Sequence, residues 1–170
     1  MLFYIKSITI KIIMPSETLM RCCHLLKKKQ MTIAFAESAT AGRLSAEFAL
    51  IPDCGEILKG GIVCYDACIK QDILGVPAEL VEKYTPESAE VTEEMAHRLQ
   101  PFIKADIYVA ITGLIMPGGS EKPGKPVGTM FIHALIGRKS IPVREVFKGS
   151  PEDIMLQTVD RVAQLLSASL

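Results

Sequence analysis

Apolar residues in this chain alternate between short uninterrupted runs and longer stretches with helical spacing. The short runs have the length and composition of β-strands. Two of them (32–36 and 60–65) are each followed by a helical stretch, and a third (106–112) leads into a loop rich in Gly and Pro. The last two runs flank a turn centred on Gly137, which predicts an antiparallel hairpin. The five predicted strands are TIAFA (32–36), GGIVCY (60–65), DIYVAIT (106–112), VGTMFIHALI (127–136) and PVREVFK (142–148).

The stretches between these runs predict helices with recognisable starts. Ser16 is an expected N-cap for a first helix whose apolar face is formed by Leu19, Cys22, Cys23 and Leu26. In Ser150-Pro151-Glu152-Asp153, a capping serine, proline at the first helical position and two acids predict the start of a last helix that ends near Ser167. Other helices are expected over 40–51 and 67–74, from Pro77, and from Ser88 or Thr92 up to a break at Pro101.

Strand–helix alternation that ends in a hairpin and a closing helix predicts an α/β fold. We expect a three-layer α/β/α sandwich with a mixed, mostly parallel sheet, built by one domain over residues 16–170. Residues 1–15 form an N-terminal extension. Its apolar part is too short to span a bilayer, and the sequence leaves open an extra strand or a start-site artefact with Met14 as the true start.

The amino-acid composition argues against several classes of function. Nineteen basic and nineteen acidic residues cancel to a net charge of +0, so no overall field attracts nucleic acid or an anionic membrane. The absence of Trp and an aromatic content of 6% argue against a surface that stacks bases. Five cysteines, an odd number, favour reduced thiols in a cytoplasmic protein, and no His or second Cys pair stands at the spacing of a metal site.

Three segments follow predicted strands, where ligands bind in open α/β sheets: 37–42, Tyr65-Asp66, and Thr112-Gly113 leading into the Gly/Pro loop 116–126. Ser38 is a candidate nucleophile at a strand-to-helix turn, although Ser38 or Thr40 could equally be a helix cap. No histidine lies near these strand ends, and Lys70 is a candidate base if burial lowers its pKa. Its alternative is a solvent-exposed helix lysine.

The Gly/Pro loop contains a partial phosphate-loop motif. Gly119-x-x-x-x-Gly124-Lys125 has the spacing of that motif, but Pro126 stands where Ser or Thr is required and a strand follows instead of a helix. We therefore reject an ATPase. A single phosphate held by Lys122 or Lys125 and a plain surface turn both remain open.

Together these segments resemble the CinA C-terminal-domain family, the nicotinamide-mononucleotide (NMN) deamidases. The resemblance covers about residues 17–168, nearly the whole chain beyond the N-terminal extension. It rests on ordered motifs: AESATAG, IPDCGEILKGGIVCYDACIKQDILGVP, EVTEEMA, ADIYVAITGLIMPGGSEKPGKPVGT and VFKG.

The resemblance implies hydrolysis of the amide of NMN to nicotinic acid mononucleotide and ammonia, in pyridine nucleotide recycling, with no metal or other cofactor. It implies Ser38 as the acyl-enzyme nucleophile, Lys70 as the base and Tyr65 as the third catalytic residue. The residues expected at the nucleotide are Glu37, Thr40, Gly42, Thr112, Gly113, Gly118 and Gly119. It also implies a cytoplasmic homodimer that binds the small nucleotide and neither nucleic acid nor membrane.

At some positions this chain departs from the pattern of the family. Ala41 replaces a glycine, Met116 adds bulk to the loop, and Pro151 stands where many members carry an arginine that could meet phosphate. Two alternatives follow: a non-catalytic nucleotide-binding or regulatory homologue, and a Ser–Lys amidase that acts on another small amide. For the NMN deamidase we expect backbone amides at the start of the second helix to stabilise the oxyanion.

Overall fold

The computed structural model describes residues 15–170, so the extra strand or start site considered within residues 1–14 lies outside the described residues. The helices are α1 (Glu17–Lys28), α2 (Arg43–Ala49), α3 (Ala67–Asp72), α4 (Ala78–Tyr84), α5 (Ala89–Leu99) and α6 (Pro151–Ser169). The strands are β1 (Ile33–Glu37), β2 (Leu58–Val63), β3 (Ile107–Gly113), β4 (Thr129–Ile136) and β5 (Lys139–Val146), and a 3₁₀ turn covers Cys54–Glu56.

The five strands form one mixed sheet in the order β2-β1-β3-β4-β5. The β1 strand pairs in parallel with β2 and β3, whereas β4 pairs antiparallel with β3 and β5. The mixed sheet and the Gly137 hairpin are therefore confirmed, and the parallel pairings are confined to the half built by β2, β1 and β3. That half brings three strand ends to the same edge of the sheet.

Helices cover both faces of the sheet, as predicted. One core packs apolar residues of α1, α2 and α6 against β1, β3 and β4, with Phe35 and Phe48 in edge-to-face contact at 4.9 Å between ring centroids. The other core packs α4 and α5 on the opposite face, against the alternate side chains Ala34, Ala36 and Ala110. Small side chains on this second face let α5 lie close to β1 and β3.

Most helix starts match their predicted caps. The side chains of Ser16, Ser88 and Ser150 accept hydrogen bonds from the backbone N–H groups of Leu19, Val91 and Asp153. Thus Ser88, not Thr92, caps α5. The start of α2 differs from the prediction: the helix begins at Arg43, because Ala41 (φ 49°) and Gly42 (φ 93°) adopt left-handed conformations that a helix cannot contain.

The thiols are free in the described part of the chain. Cys22, Cys23 and Cys64 are buried, Cys54 is partly buried and Cys68 is exposed. Burial raises the pKa of Cys22 to about 11, of Cys23 to about 12 and of Cys64 to about 11, so these thiols stay protonated and unreactive near neutral pH. No helix within residues 15–170 is both long enough and apolar enough to cross a bilayer.

Candidate active site

The parallel half of the sheet brings the predicted segments together. Glu37, the last residue of β1, pairs with Val63 of β2 on one side and with Ile111 of β3 on the other. Backbone hydrogen bonds continue past the ends of the strands, from Ser38 N–H to the Ile111 carbonyl and from Cys64 N–H to the Glu37 carbonyl. The three segments after these strands are therefore neighbours, as the topology predicted.

Glu37 organises the turn that follows β1. Its carboxylate is 1% exposed and accepts five hydrogen bonds. The donors are the backbone N–H groups of Gly42, Leu44 and Ser45 and the hydroxyls of Thr40 and Ser45, at 2.5–3.0 Å. We expected Glu37, Thr40 and Gly42 at the substrate; the Thr40 hydroxyl and the Gly42 N–H instead donate to the Glu37 carboxylate and support the turn, whereas the Thr40 backbone N–H has no acceptor among the described residues.

This arrangement corrects two expectations about Ser38. The serine does not cap α2, because the Glu37 carboxylate binds the N–H groups at the helix start and neither Ser38 nor Thr40 does. Those same N–H groups are occupied and cannot serve an oxyanion. Among the described residues, the backbone N–H groups of Ala39 and Thr40 have no hydrogen-bond acceptor, and neither does the Ser38 hydroxyl.

Ser38 borders a cleft of about 290 Å³ at the edge where the parallel strands end. Five of the ten predicted site residues line it: Ser38, Tyr65, Gly113, Gly118 and Gly119. A side chain at Gly113 would collide with the Thr129 backbone and with Met130, so this glycine allows β4 to approach β3 beside the cleft. The other lining residues are Ala39, Glu87, Leu114, Ile115, Met116 and Pro117.

Lys70 is buried next to Tyr65, which lines this cleft, and is not a solvent-exposed helix lysine. Its side chain is 1% exposed, and Nζ donates to the Tyr65 carbonyl at 3.3 Å. Burial lowers the pKa of this ammonium below its ordinary value of 10.5, against the opposing effects of Cys64 and Glu87. No direct hydrogen bond joins Lys70 Nζ to Ser38 Oγ within the described chain. Tyr65 links the two residues, because its carbonyl accepts the hydrogen bond from Lys70 and it lines the same cleft as Ser38.

Thr112 is not brought to the cleft. It is fully buried, and its hydroxyl shares a hydrogen bond of 2.8 Å with Thr92 of α5, whose own hydroxyl donates to the Ser88 carbonyl. The alternation of side chains along β3 explains the difference, since Thr112 faces α5. Its neighbour Gly113 borders the cleft.

A polar cluster formed by Thr85, Glu87, Ser120 and Lys125 was not predicted from the sequence, and its Glu87 lines the cleft. Lys125 is 7% exposed, and its ammonium donates to the Thr85 hydroxyl, the Glu87 carbonyl and the Ser120 hydroxyl at 2.6–3.0 Å. Ser120 in turn donates to the Glu87 carboxylate. All three ammonium protons of Lys125 are used, so this lysine ties the Gly/Pro loop to the α4–α5 connection and is not free to hold a phosphate.

The Glu37 arrangement leads to a stability prediction. We expect Glu37→Gln to lower the free energy of unfolding by about 2–4 kcal/mol, because an amide group must face N–H donors that then stay buried and unpaired. Urea unfolding of the variant measures this change. Glu17→Gln is the control: Glu17 forms an exposed pair with Arg21, and its loss should cost less than about 0.5 kcal/mol. Equal losses in the two variants would refute the role of Glu37.

Comparisons with known proteins find similar sequences and similar folds. The curated relatives include a putative competence-damage inducible protein of Desulforudis audaxviator, 32% identical over 146 residues, which are 86% of this chain and 35% of the relative. A CinA-like protein of Pseudothermotoga lettingae is 42% identical over 108 residues, which are 63% of this chain and 26% of that protein. The chain thus spans about a third or less of the length of these relatives.

Solved structures match over most of their length. A CinA superfamily protein of Klebsiella pneumoniae superposes with a TM-score of 0.84 at 26% identity, covering 89% of this chain and 94% of that one. A competence or damage-inducible protein of Enterobacter asburiae gives a TM-score of 0.83 at 28% identity, covering 92% and 98%. The profile of the CinA C-terminal domain matches residues 16–170, and the chain therefore belongs to the CinA C-terminal domain family.

Proposed function

We propose that this protein hydrolyses a small carboxamide through Ser38 and Lys70, with NMN as the substrate and nicotinic acid mononucleotide and ammonia as products. The observation that carries the proposal is a serine hydroxyl without a protein partner among the described residues, at the edge of a cleft that is also lined by Tyr65, whose carbonyl accepts from the buried Lys70. An activated hydroxyl and a desolvated amine are the two groups that Ser–Lys amide hydrolysis requires.

In the proposed reaction Ser38 Oγ attacks the amide carbonyl carbon and its proton passes to the neutral Lys70 Nζ, directly or through one water molecule. Lys70 then gives this proton to the amide nitrogen as the C–N bond breaks, and ammonia leaves. Water next attacks the acyl-enzyme ester, again losing a proton to Lys70. The acid product departs, and the proton returns to Ser38 Oγ.

The tetrahedral intermediate carries negative charge on the former carbonyl oxygen. The unpaired N–H groups of Ala39 and Thr40, next to the nucleophile, are the donors we assign to it. Each such donor, held rigidly before reaction, typically contributes about 10²–10³-fold in kcat. The Glu37 hydrogen bonds to the following residues supply that rigidity, because they leave the turn no alternative partners.

Ammonia release from NMN by the purified chain tests the proposal, with nicotinic acid mononucleotide detected in equal amount by chromatography. A panel that includes nicotinamide and asparagine separates NMN hydrolysis from hydrolysis of another small amide. Saturable binding of NMN without ammonia release over a long incubation would overturn the proposal and favour a nucleotide-binding homologue. The missing direct hydrogen bond between Ser38 and Lys70 is the observation that favours that alternative.

A further inference from the structure

The cleft offers a water molecule one charged hydrogen-bond acceptor. Among the described residues that line it, only Ser38, Tyr65 and Glu87 have an oxygen or nitrogen atom in the side chain. The two hydroxyls donate as well as accept, whereas the carboxylate of Glu87 only accepts and forms the stronger, charge-assisted hydrogen bonds. The mechanism proposed above uses Ser38 and Tyr65 and leaves Glu87 without a role.

Glu87 is held in place with one carboxylate oxygen available. Its Oε2 accepts the hydrogen bond from Ser120, and its backbone carbonyl accepts from Lys125 at 3.0 Å. Oε1 has no hydrogen-bond donor among the described residues. A carboxylate that is fixed through one oxygen and open at the other can orient a small ligand, because little side-chain freedom is lost when the ligand binds.

The backbone just before Glu87 is strained. Thr85 has φ 74° and ψ 154°, a conformation that glycine adopts far more readily than a residue with a Cβ atom. The Lys125 ammonium donates to the Thr85 hydroxyl at 2.8 Å and thereby helps to hold this conformation. Because such strain persists only where the surrounding contacts determine the backbone, Glu87 has a defined position at the cleft.

The second half of the proposed reaction is the half that needs such an acceptor. In the first half Ser38 is the nucleophile, and its hydroxyl has no hydrogen bond to Glu87 within the described chain. In the second half the nucleophile is water, which must be oriented toward the acyl carbon. The Glu87 carboxylate also opposes the lowering of the Lys70 pKa, so the carboxylate and the proposed base lie close enough to interact.

We propose that Glu87 is a further catalytic residue, whose Oε1 binds and orients the water molecule that hydrolyses the acyl-enzyme. This inference rests on the proposed amide hydrolysis and adds a residue to its second half. The water oxygen bonds to the acyl carbon, one water proton passes to Lys70 Nζ, and the other hydrogen is donated to Oε1 and stays on the oxygen. The bond from the acyl carbon to Ser38 Oγ then breaks, and the proton on Lys70 moves to Oγ.

The test is a competition between water and hydroxylamine for the acyl-enzyme formed from NMN. Hydroxylamine is a stronger nucleophile and needs no residue that holds water, so the ratio of hydroxamate to nicotinic acid mononucleotide reports only the second half of the reaction. Glu87→Gln keeps an acceptor for Ser120 but loses the charge. We expect it to raise this ratio by about 10–10²-fold, the usual contribution of a hydrogen bond to a charged group.

The same assay shows whether Glu87 acts in the first half. At saturating hydroxylamine the second half is fast, so ammonia release by Glu87→Gln should stay within about twofold of the unmodified protein. Ser120→Ala is a second variant, which keeps the charge of Glu87 but frees its Oε2. It should raise the product ratio by less than Glu87→Gln does, because the carboxylate is present but no longer fixed.

Glu90→Gln is the matched control, because Glu90 is exposed on α5 and does not line the cleft. Its product ratio should equal that of the unmodified protein. An unchanged or lower ratio in Glu87→Gln overturns the inference, and so does a loss of ammonia release that matches the loss of the acid product. If the unmodified protein releases ammonia and only the ratio fails to change, the proposed function stands without Glu87. If it releases no ammonia from NMN, both fail.

Discussion

Replacing Ser38 with alanine is expected to lower kcat for ammonia release by at least about 10³-fold, because no other hydroxyl of the turn is free to form the acyl-enzyme. Thr40 and Ser45 both donate to the Glu37 carboxylate, so their hydroxyls are already engaged. The measurement is initial-rate ammonia release at saturating NMN, together with mass spectrometry of the intact protein for an acyl adduct. The adduct should be absent from the variant.

A serine away from the site provides the control for this variant. Ser169→Ala changes a hydroxyl near the C-terminus of α6 that donates to the Leu165 carbonyl, and its kcat should equal that of the unmodified protein. The unfolding midpoint of Ser38→Ala should also be unchanged, since the Ser38 hydroxyl has no hydrogen-bond partner in residues 15–170. Comparable turnover by Ser38→Ala and the unmodified protein would remove Ser38 from the chemistry.

The structural features that could be predicted from the sequence are those that depend on local chemistry. Uninterrupted apolar runs become strands because both faces of the inner strands are buried, and Ser16, Ser88 and Ser150 cap helices with their own side chains. Parallel pairing then brings Ser38 and Tyr65 to one edge, which required only the order of the strands. The edge strand β2 began two residues earlier than predicted, because its half-exposed residues carry a weaker pattern.

The part that could not be predicted depends on contacts between distant residues. Glu37 lies in a motif whose glutamate we expected at the substrate, and only its geometry reveals that it binds the start of α2. The cluster of Glu87 with Ser120 and Lys125 joins segments more than 30 positions apart, and no spacing rule connects them. Thr112 and Gly113 are adjacent in sequence yet face different surroundings, which follows from the pleat once the strand is located.

The cluster of Glu87, Ser120 and Lys125 explains how the Gly/Pro loop keeps a defined position beside the candidate site. Two backbone hydrogen bonds between Lys122 and Lys125 close a turn within it, and the Lys125 ammonium joins that turn to the α4–α5 connection. Burial lowers the pKa of Lys125, and the Glu87 carboxylate opposes that shift, so this contact is maintained by charge as well as by hydrogen bonds. The loop thereby holds Gly118 and Met116 at a defined cleft wall.

Replacing Lys70 with methionine is expected to lower kcat by at least about 10³-fold. The variant should be as stable as the unmodified protein or more stable. Methionine has similar length and fills the buried space without the cost of desolvating an amine. Because the pKa of Lys70 is lower in the folded than in the unfolded chain, the unfolded chain binds more protons between that lowered value and the ordinary 10.5. Stability of the unmodified protein therefore rises with pH across this window, and the methionine variant lacks the rise.

In the proposed mechanism, activity of the unmodified protein should depend on the protonation of the same amine, since only a neutral Lys70 could accept the Ser38 proton. We expect kcat to increase with pH and to level off below the ordinary lysine value of 10.5, because burial has lowered the pKa of Lys70. Lys70→Arg should not restore turnover, since a guanidinium does not give up its proton, and Lys104→Met at an exposed lysine should behave as the unmodified protein. A pH-independent kcat, or turnover retained in Lys70→Met, would show that Ser38 is activated by another group. A kcat that rises with pH in the unmodified protein, together with loss of turnover in Lys70→Met, would tie proton transfer to this buried amine.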